Sequence, residues 1–70
     1  MFAMNTGIAN LRAGKIDDAI AQFETVVKLT PDNAEGFYNL AKALKARGKK
    51  LEAEAAYRKA KQFNPQIKPL

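Results

Sequence analysis

Residues 37–65 read FYNLAKALKARGKKLEAEAAYRKAKQFNP, and this stretch decides the fold. Its first part puts Phe37, Leu40 and Leu44 on one side of a helix, at spacings of three and four residues. Gly48 follows, where a left-handed backbone ends a helix at little steric cost. A second helical stripe runs through Ala53, Ala56, Tyr57, Ala60 and Phe63, and Pro65 blocks its continuation. The unit is helix, tight turn, helix, stop.

The same unit precedes it. Sliding the chain by 34 residues brings Asn39 onto Asn5, Ala41 onto Gly7, Gly48 onto Gly14 and Ala53 onto Ala19. Tyr57 falls on Phe23, Ala60 on Val26, Phe63 on Leu29 and Pro65 on Pro31. A period of this size is the mark of a repeat architecture. The pattern predicts helices near residues 2–13, 16–29, 34–46 and 51–63. The expected class is all-α, two stacked helix-turn-helix hairpins, with repeat units at 1–33 and 34–67 and a tail at 68–70. Asp32 with Glu35 three residues later resembles a capping box for the third helix, and Asp17 and Asp18 suit the positive end of the second. Gly36, near the start of the third helix, costs about 1 kcal/mol relative to Ala.

The second and fourth helices differ in a way that bears on what they touch. The second carries Ile16, Ala19, Ile20, Phe23, Val26 and Val27, a stripe wide enough for two neighbours. Those neighbours would be its hairpin mate and the first helix of the next repeat. In the fourth helix, Glu54 and Lys61 replace Ile20 and Val27, so its outward side is polar, as at the end of an array.

With these residues in place, the chain resembles two tetratricopeptide repeats, an α-solenoid family. The second repeat carries the pattern as Phe37, Leu40, Ala41, Leu44, Gly48, Ala53, Tyr57, Ala60 and Pro65. The first carries it as Ala3, Gly7, Gly14, Ala19, Phe23, Val26 and Pro31. The resemblance implies small residues, here Ala19 and Ala53, where the helices cross closely. The first helix departs from the pattern, with Ala3, Thr6 and Asn10 at positions that are large in the family. A looser first hairpin is the expectation.

Composition narrows the chemistry. The chain has 70 residues, no Cys and no His. A chain this short buries only about 60% of the surface its unfolded form exposes, so its stability is marginal without a staple. Disulfides, thiolate nucleophiles, imidazole bases and zinc sites of the usual kind are excluded, leaving packing against a partner as the available staple. No apolar run approaches the ~20 residues of a membrane span. No secretion signal is evident in Met1–Gly7, and a cytoplasmic location is the expectation. No cofactor is expected.

Net charge is +5 and uneven. Residues 1–33 carry three basic and four acidic side chains, net −1; residues 34–70 carry nine and three, net +6. An acidic partner for the second half is physically reasonable, and so is a solvated lysine-rich face.

The resemblance implies an interaction module, with a peptide or helix of a partner bound along the concave surface lined by the first helix of each repeat. By position that surface is Met4, Asn5, Ile8, Leu11 and Arg12 with Glu35, Tyr38, Asn39, Lys42 and Lys45. Tyr38, Lys42 and Lys45 fall at i, i+4 and i+7, on a side away from the Phe37–Leu40–Leu44 stripe. Asn5 and Asn39 can each donate to and accept from a peptide backbone, and Arg12, Lys42 and Lys45 can hold carboxylates. Met4, Ile8 and Leu11 form an apolar stripe that either contacts a ligand or rolls inward onto the core. A self-associating module, whose partner is its own copy, is a second reading. Nucleic-acid binding through the basic half is a third, and only Tyr38 stands beside that charge as a stacking aromatic. Catalysis has no candidate: Asp17 and Asp18 point about 100° apart on a helix, and no nucleophile is paired with a base.

Overall fold

A computed structural model describes residues 2–70. It contains four helices, α1 (Phe2–Arg12), α2 (Ile16–Leu29), α3 (Ala34–Ala46) and α4 (Lys50–Phe63), and no strand among the described residues. α1 packs on α2, and α3 on α4, across three-residue links. α2 also packs on α3, which stacks the two hairpins, while α1 and α3 touch only lightly. Two boundaries differ slightly from expectation: α1 stops at Arg12, and α4 starts one residue earlier, at Lys50.

Both hairpin turns are built alike. Gly14 and Gly48 have φ of 81° and 88°. In the first turn, the Lys15 amide donates back to the Asn10 carbonyl at 2.8 Å and the Gly14 amide to Leu11 at 3.1 Å. In the second, Lys49 donates to Leu44 at 2.9 Å and Gly48 to Lys45 at 3.0 Å. These paired bonds around a left-handed residue are the Schellman arrangement, which satisfies the carbonyls the helix end leaves free. Glycine suits the position because a Cβ is strained at that φ.

The link between the hairpins holds a correction. α3 is capped by Asn33, whose Oδ1 accepts from the Gly36 amide at 3.0 Å. The cap therefore sits one residue beyond the expected Asp32, because Pro31 and Asp32 are taken up by a turn closed by Asn33 N–H donating to the Thr30 carbonyl at 3.0 Å. Asp17 and Asp18 do lie in the first turn of α2, facing its positive end.

α2 is the centre of the core. Phe23 and Val26 are the largest fully buried side chains, and Ala19 is buried beside them. A Cβ on Gly7 would lie 2.6 Å from Phe23 Cε1, so the ring packs directly on the α1 backbone. Gly36 does the same for α3: a Cβ there would lie 3.0 Å from Val26 Cγ1 and 3.2 Å from Val27 Cγ1. The helix-propensity cost at Gly36 is thus offset by close approach of α2 and α3. In α3, Gly36, Asn39, Leu40, Ala41, Ala43 and Leu44 are buried, whereas α1 buries Gly7 alone among its described residues. The difference follows position: α3 lies against both α2 and α4, α1 chiefly against α2. The Cα body measures 28 × 26 × 17 Å. Its thin dimension is under two helix diameters, so any ligand binds at a surface.

Candidate docking surface

α1 and α3 are joined at a narrow seam. The Asn39 amide Nδ2 donates to Met4 Sδ at 3.4 Å, a weak bond to a weak acceptor. Asn39 is only 6% exposed, while its counterpart Asn5 is on the surface. The repeated asparagine therefore presents one open amide and one largely covered. Met4, Ile8 and Leu11 are half-buried and pack against the core cluster, so the apolar stripe of α1 is rolled partly inward. Arg12 is exposed in the last turn of α1.

On α3, Lys42 and Lys45 are exposed and Glu35 lies in the first turn, also exposed. Lys42 Nζ sits 5.4 Å from the centre of the Tyr38 ring, within range of a cation–π contact. The structure thus brings together Met4 with Asn39 and Tyr38 with Lys42.

Tyr38 has a further partner that its neighbours in sequence do not reveal. Its hydroxyl donates to the Pro69 carbonyl at 3.3 Å, and the Tyr57 hydroxyl donates to the Lys68 carbonyl at 3.0 Å. The two rings lie 6.3 Å apart. Leu70 packs on the core cluster and borders a recess of about 250 Å³ with Lys45, Lys50, Ala53 and Glu54. Residues 66–70 therefore run back over the face between α3 and α4. The sequence holds one signal of this. Tyr38 and Tyr57 stand where the first repeat has Met4 and Phe23, so the second repeat gains two hydroxyls.

Other aromatics close the far end of the hairpin. Phe37 and Phe63 stack at 6.2 Å, with Lys59 Nζ 5.7 Å from the Phe37 ring. Lys61 Nζ lies 5.9 Å from the Tyr57 ring. Among the described residues, no three His, Cys, Asp or Glu side chains are grouped as a metal site needs, and no helix is long and apolar enough to cross a membrane.

A family description, tetratricopeptide repeat, matches residues 4–66. The chain belongs to the tetratricopeptide repeat family. Such repeats generally mediate protein–protein interaction, and the family is typically a non-catalytic interaction module. No curated protein matches the chain significantly. Most positions that carry the tetratricopeptide pattern are buried, Gly7, Ala19, Phe23 and Val26 in one repeat and Leu40, Ala41, Leu44, Ala53 and Ala60 in the other; Gly14 and Gly48 make the turns, and Ala3, Phe37 and Tyr57 are half-buried.

Proposed function

We propose that this chain is a scaffold or adaptor module that holds a peptide or helix of a partner protein on its concave face, the side of α1 and α3. The reading takes Met4, Asn5, Ile8, Arg12, Tyr38, Asn39, Lys42 and Lys45 as the contact set. The observation that carries it is the ridge of α3, where half-buried Tyr38 and exposed Lys42 and Lys45 stand about one turn apart beside the Met4–Asn39 seam. Its charge favours a partner segment with carboxylates, which Lys42 and Lys45 would meet at a surface where such pairs add specificity and on-rate more than affinity. Catalysis has no part in this reading.

The test is an acidic peptide ligand selected by display on the unaltered chain. The double variant Lys42→Glu, Lys45→Glu should bind it at least about tenfold more weakly, through like-charge repulsion, with helical circular dichroism unchanged. Unaltered affinity would remove this face from consideration.

Self-association is the second reading, favoured by the exposure of Leu29 (70%) and Leu51 (82%). Sedimentation equilibrium over a wide concentration range decides it, since a strictly monomeric chain leaves no room for a partner of its own kind.

A further inference from the structure

The segment after α4 takes the place that, after α2, a helix takes. Val26 and Val27 lie against α3 at Gly36 and Met4 Sδ accepts from α3, whereas Tyr57 and Tyr38, the counterparts of Phe23 and Met4, lie beneath residues 66–70. This cover is held differently. Two hydroxyls donate to successive main-chain carbonyls, of Lys68 and Pro69, and Leu70 packs on the core cluster, while Ile67 is also half-buried. Recognition through main-chain carbonyls does not depend on sequence, so the face selects an extended backbone with a well-placed apolar side chain.

We propose that the face between α3 and α4 is a docking site for an extended segment of a partner protein carrying an apolar anchor and acidic side chains, and that residues 66–70 occupy it as a strap which that segment displaces. The strap fits the site incompletely. The recess beside Leu70 is about 250 Å³ and is bordered by Lys45, Lys50 and Glu54, with Lys42 and Lys61 over the two tyrosine rings. Residues 66–70 contribute Lys68 and no acidic side chain, so they leave these four ammonium groups without a side-chain counter-charge from the strap. A partner segment with carboxylates makes the same two hydroxyl contacts and adds what the strap lacks. Against it stands the tether: a link of a few residues holds the strap at an effective concentration in the millimolar range. The strap thus acts as a threshold, rejecting weak segments and yielding to acidic ones.

This goes beyond the docking reading, with which it shares Tyr38, Lys42 and Lys45, and its readout is elsewhere. The chain has two tyrosines and no tryptophan, and both tyrosines lie under the strap, so tyrosine emission reports on this face. The probe is a synthetic seven-residue peptide with the sequence of residues 64–70, NPQIKPL, carrying the change Lys68→Glu. It is titrated into the full chain and into the full-length Leu70→Gly variant, with circular dichroism confirming equal helicity. The peptide should alter tyrosine emission in both and bind the variant about tenfold more tightly, since an occupied site scales apparent affinity by its open fraction. Without peptide, acrylamide should quench the tyrosines more readily in Leu70→Gly; should that variant lose helicity, Leu70→Ala serves in the same two measurements. Equal affinities, no binding to either chain, or unchanged quenching would overturn the strap. So would tyrosine emission that shifts with protein concentration, which would mean that copies exchange their tails. Leu70→Gly leaves Asn5, Asn39 and Lys42 in place, so its failure does not touch the α1–α3 surface, and failure of the Lys42→Glu, Lys45→Glu test does not touch quenching at Tyr57.

Discussion

The chain makes the same turn twice and continues it in two ways. After α2, the Thr30 amide donates to Val26 at 2.8 Å and the Asn33 amide to Thr30 at 3.0 Å. After α4, Asn64 donates to Ala60 at 2.9 Å and Ile67 to Asn64 at 3.1 Å. Pro31 and Pro65 occupy equal places in these turns. The paths part at the next residue. Asn33 offers a side-chain oxygen to the Gly36 amide and a helix begins, while Ile67 has no side-chain acceptor to offer and no helix follows among residues 67–70. A helix start leaves amides unsatisfied, and a capping oxygen stabilises the first turn by accepting from one of them. The turn sets direction; the residue after it selects helix or strap.

The two covers should differ most in what they protect. Phe23 is fully buried in the helical core, its ring against α1, and Tyr57 is half-buried under the strap. Phe23→Ala should cost about 3–5 kcal/mol, enough to unfold a domain this small at ordinary temperature. Tyr57→Ala, at the same place in the other repeat, should cost about half as much. Urea denaturation of both variants breaks the comparison if their midpoints fall together.

The repeat was legible because its signals are backbone demands. A left-handed turn asks for Gly14 and Gly48, a helix stop for Pro31 and Pro65, and a close crossing for Ala19 and Ala53; each leaves a residue type at a fixed spacing. The surface was less legible. Asn5 and Asn39 are identical in sequence, and their different exposure follows from Met4 and from the second hairpin on one side only. The strap had no local signature, because it is held by contacts between residues 31 and 11 positions apart, Tyr38 to Pro69 and Tyr57 to Lys68. Gly36 reads locally as a cost, and only its approach to Val26 and Val27 shows why a side chain is absent there.

The cap sharpens the comparison at the point of divergence. Asp32 and Asn33 are both good capping types, and sequence alone favours the first. Asn33→Ala should destabilise the chain by about 1 kcal/mol, and Asp32→Ala by no more than a few tenths, both read from urea midpoints at constant slope. Equal losses would return the cap to Asp32, and the side chain of Asn33 would then no longer explain why one turn leads into a helix and the other into a strap.

The smallest effect belongs to the ion pair that ties the hairpins together at their turns. Arg47 Nε donates to Asp17 Oδ1 at 2.9 Å, from the end of α3 to the start of α2. The side chains are 51% and 77% exposed, so water and salt screen most of their attraction. Asp17 also favours the positive end of α2 from within its first turn, whereas Arg47, at the C-cap just past the last turn of α3, meets the negative end of its own helix from outside it. Arg47→Ala and Asp17→Asn should therefore each cost no more than about 0.5 kcal/mol, with Asp17→Asn the larger because it weakens two interactions. A double-mutant cycle at low and at high salt separates the pair from the dipole: the coupling should shrink toward zero as salt rises, while part of the Asp17→Asn loss persists in the Arg47→Ala background. A coupling that survives high salt would mean that the hairpins are held together at their turns as well as through α2 and α3, and the first hairpin would then be less dependent on its helical cover than the burial of Phe23 implies.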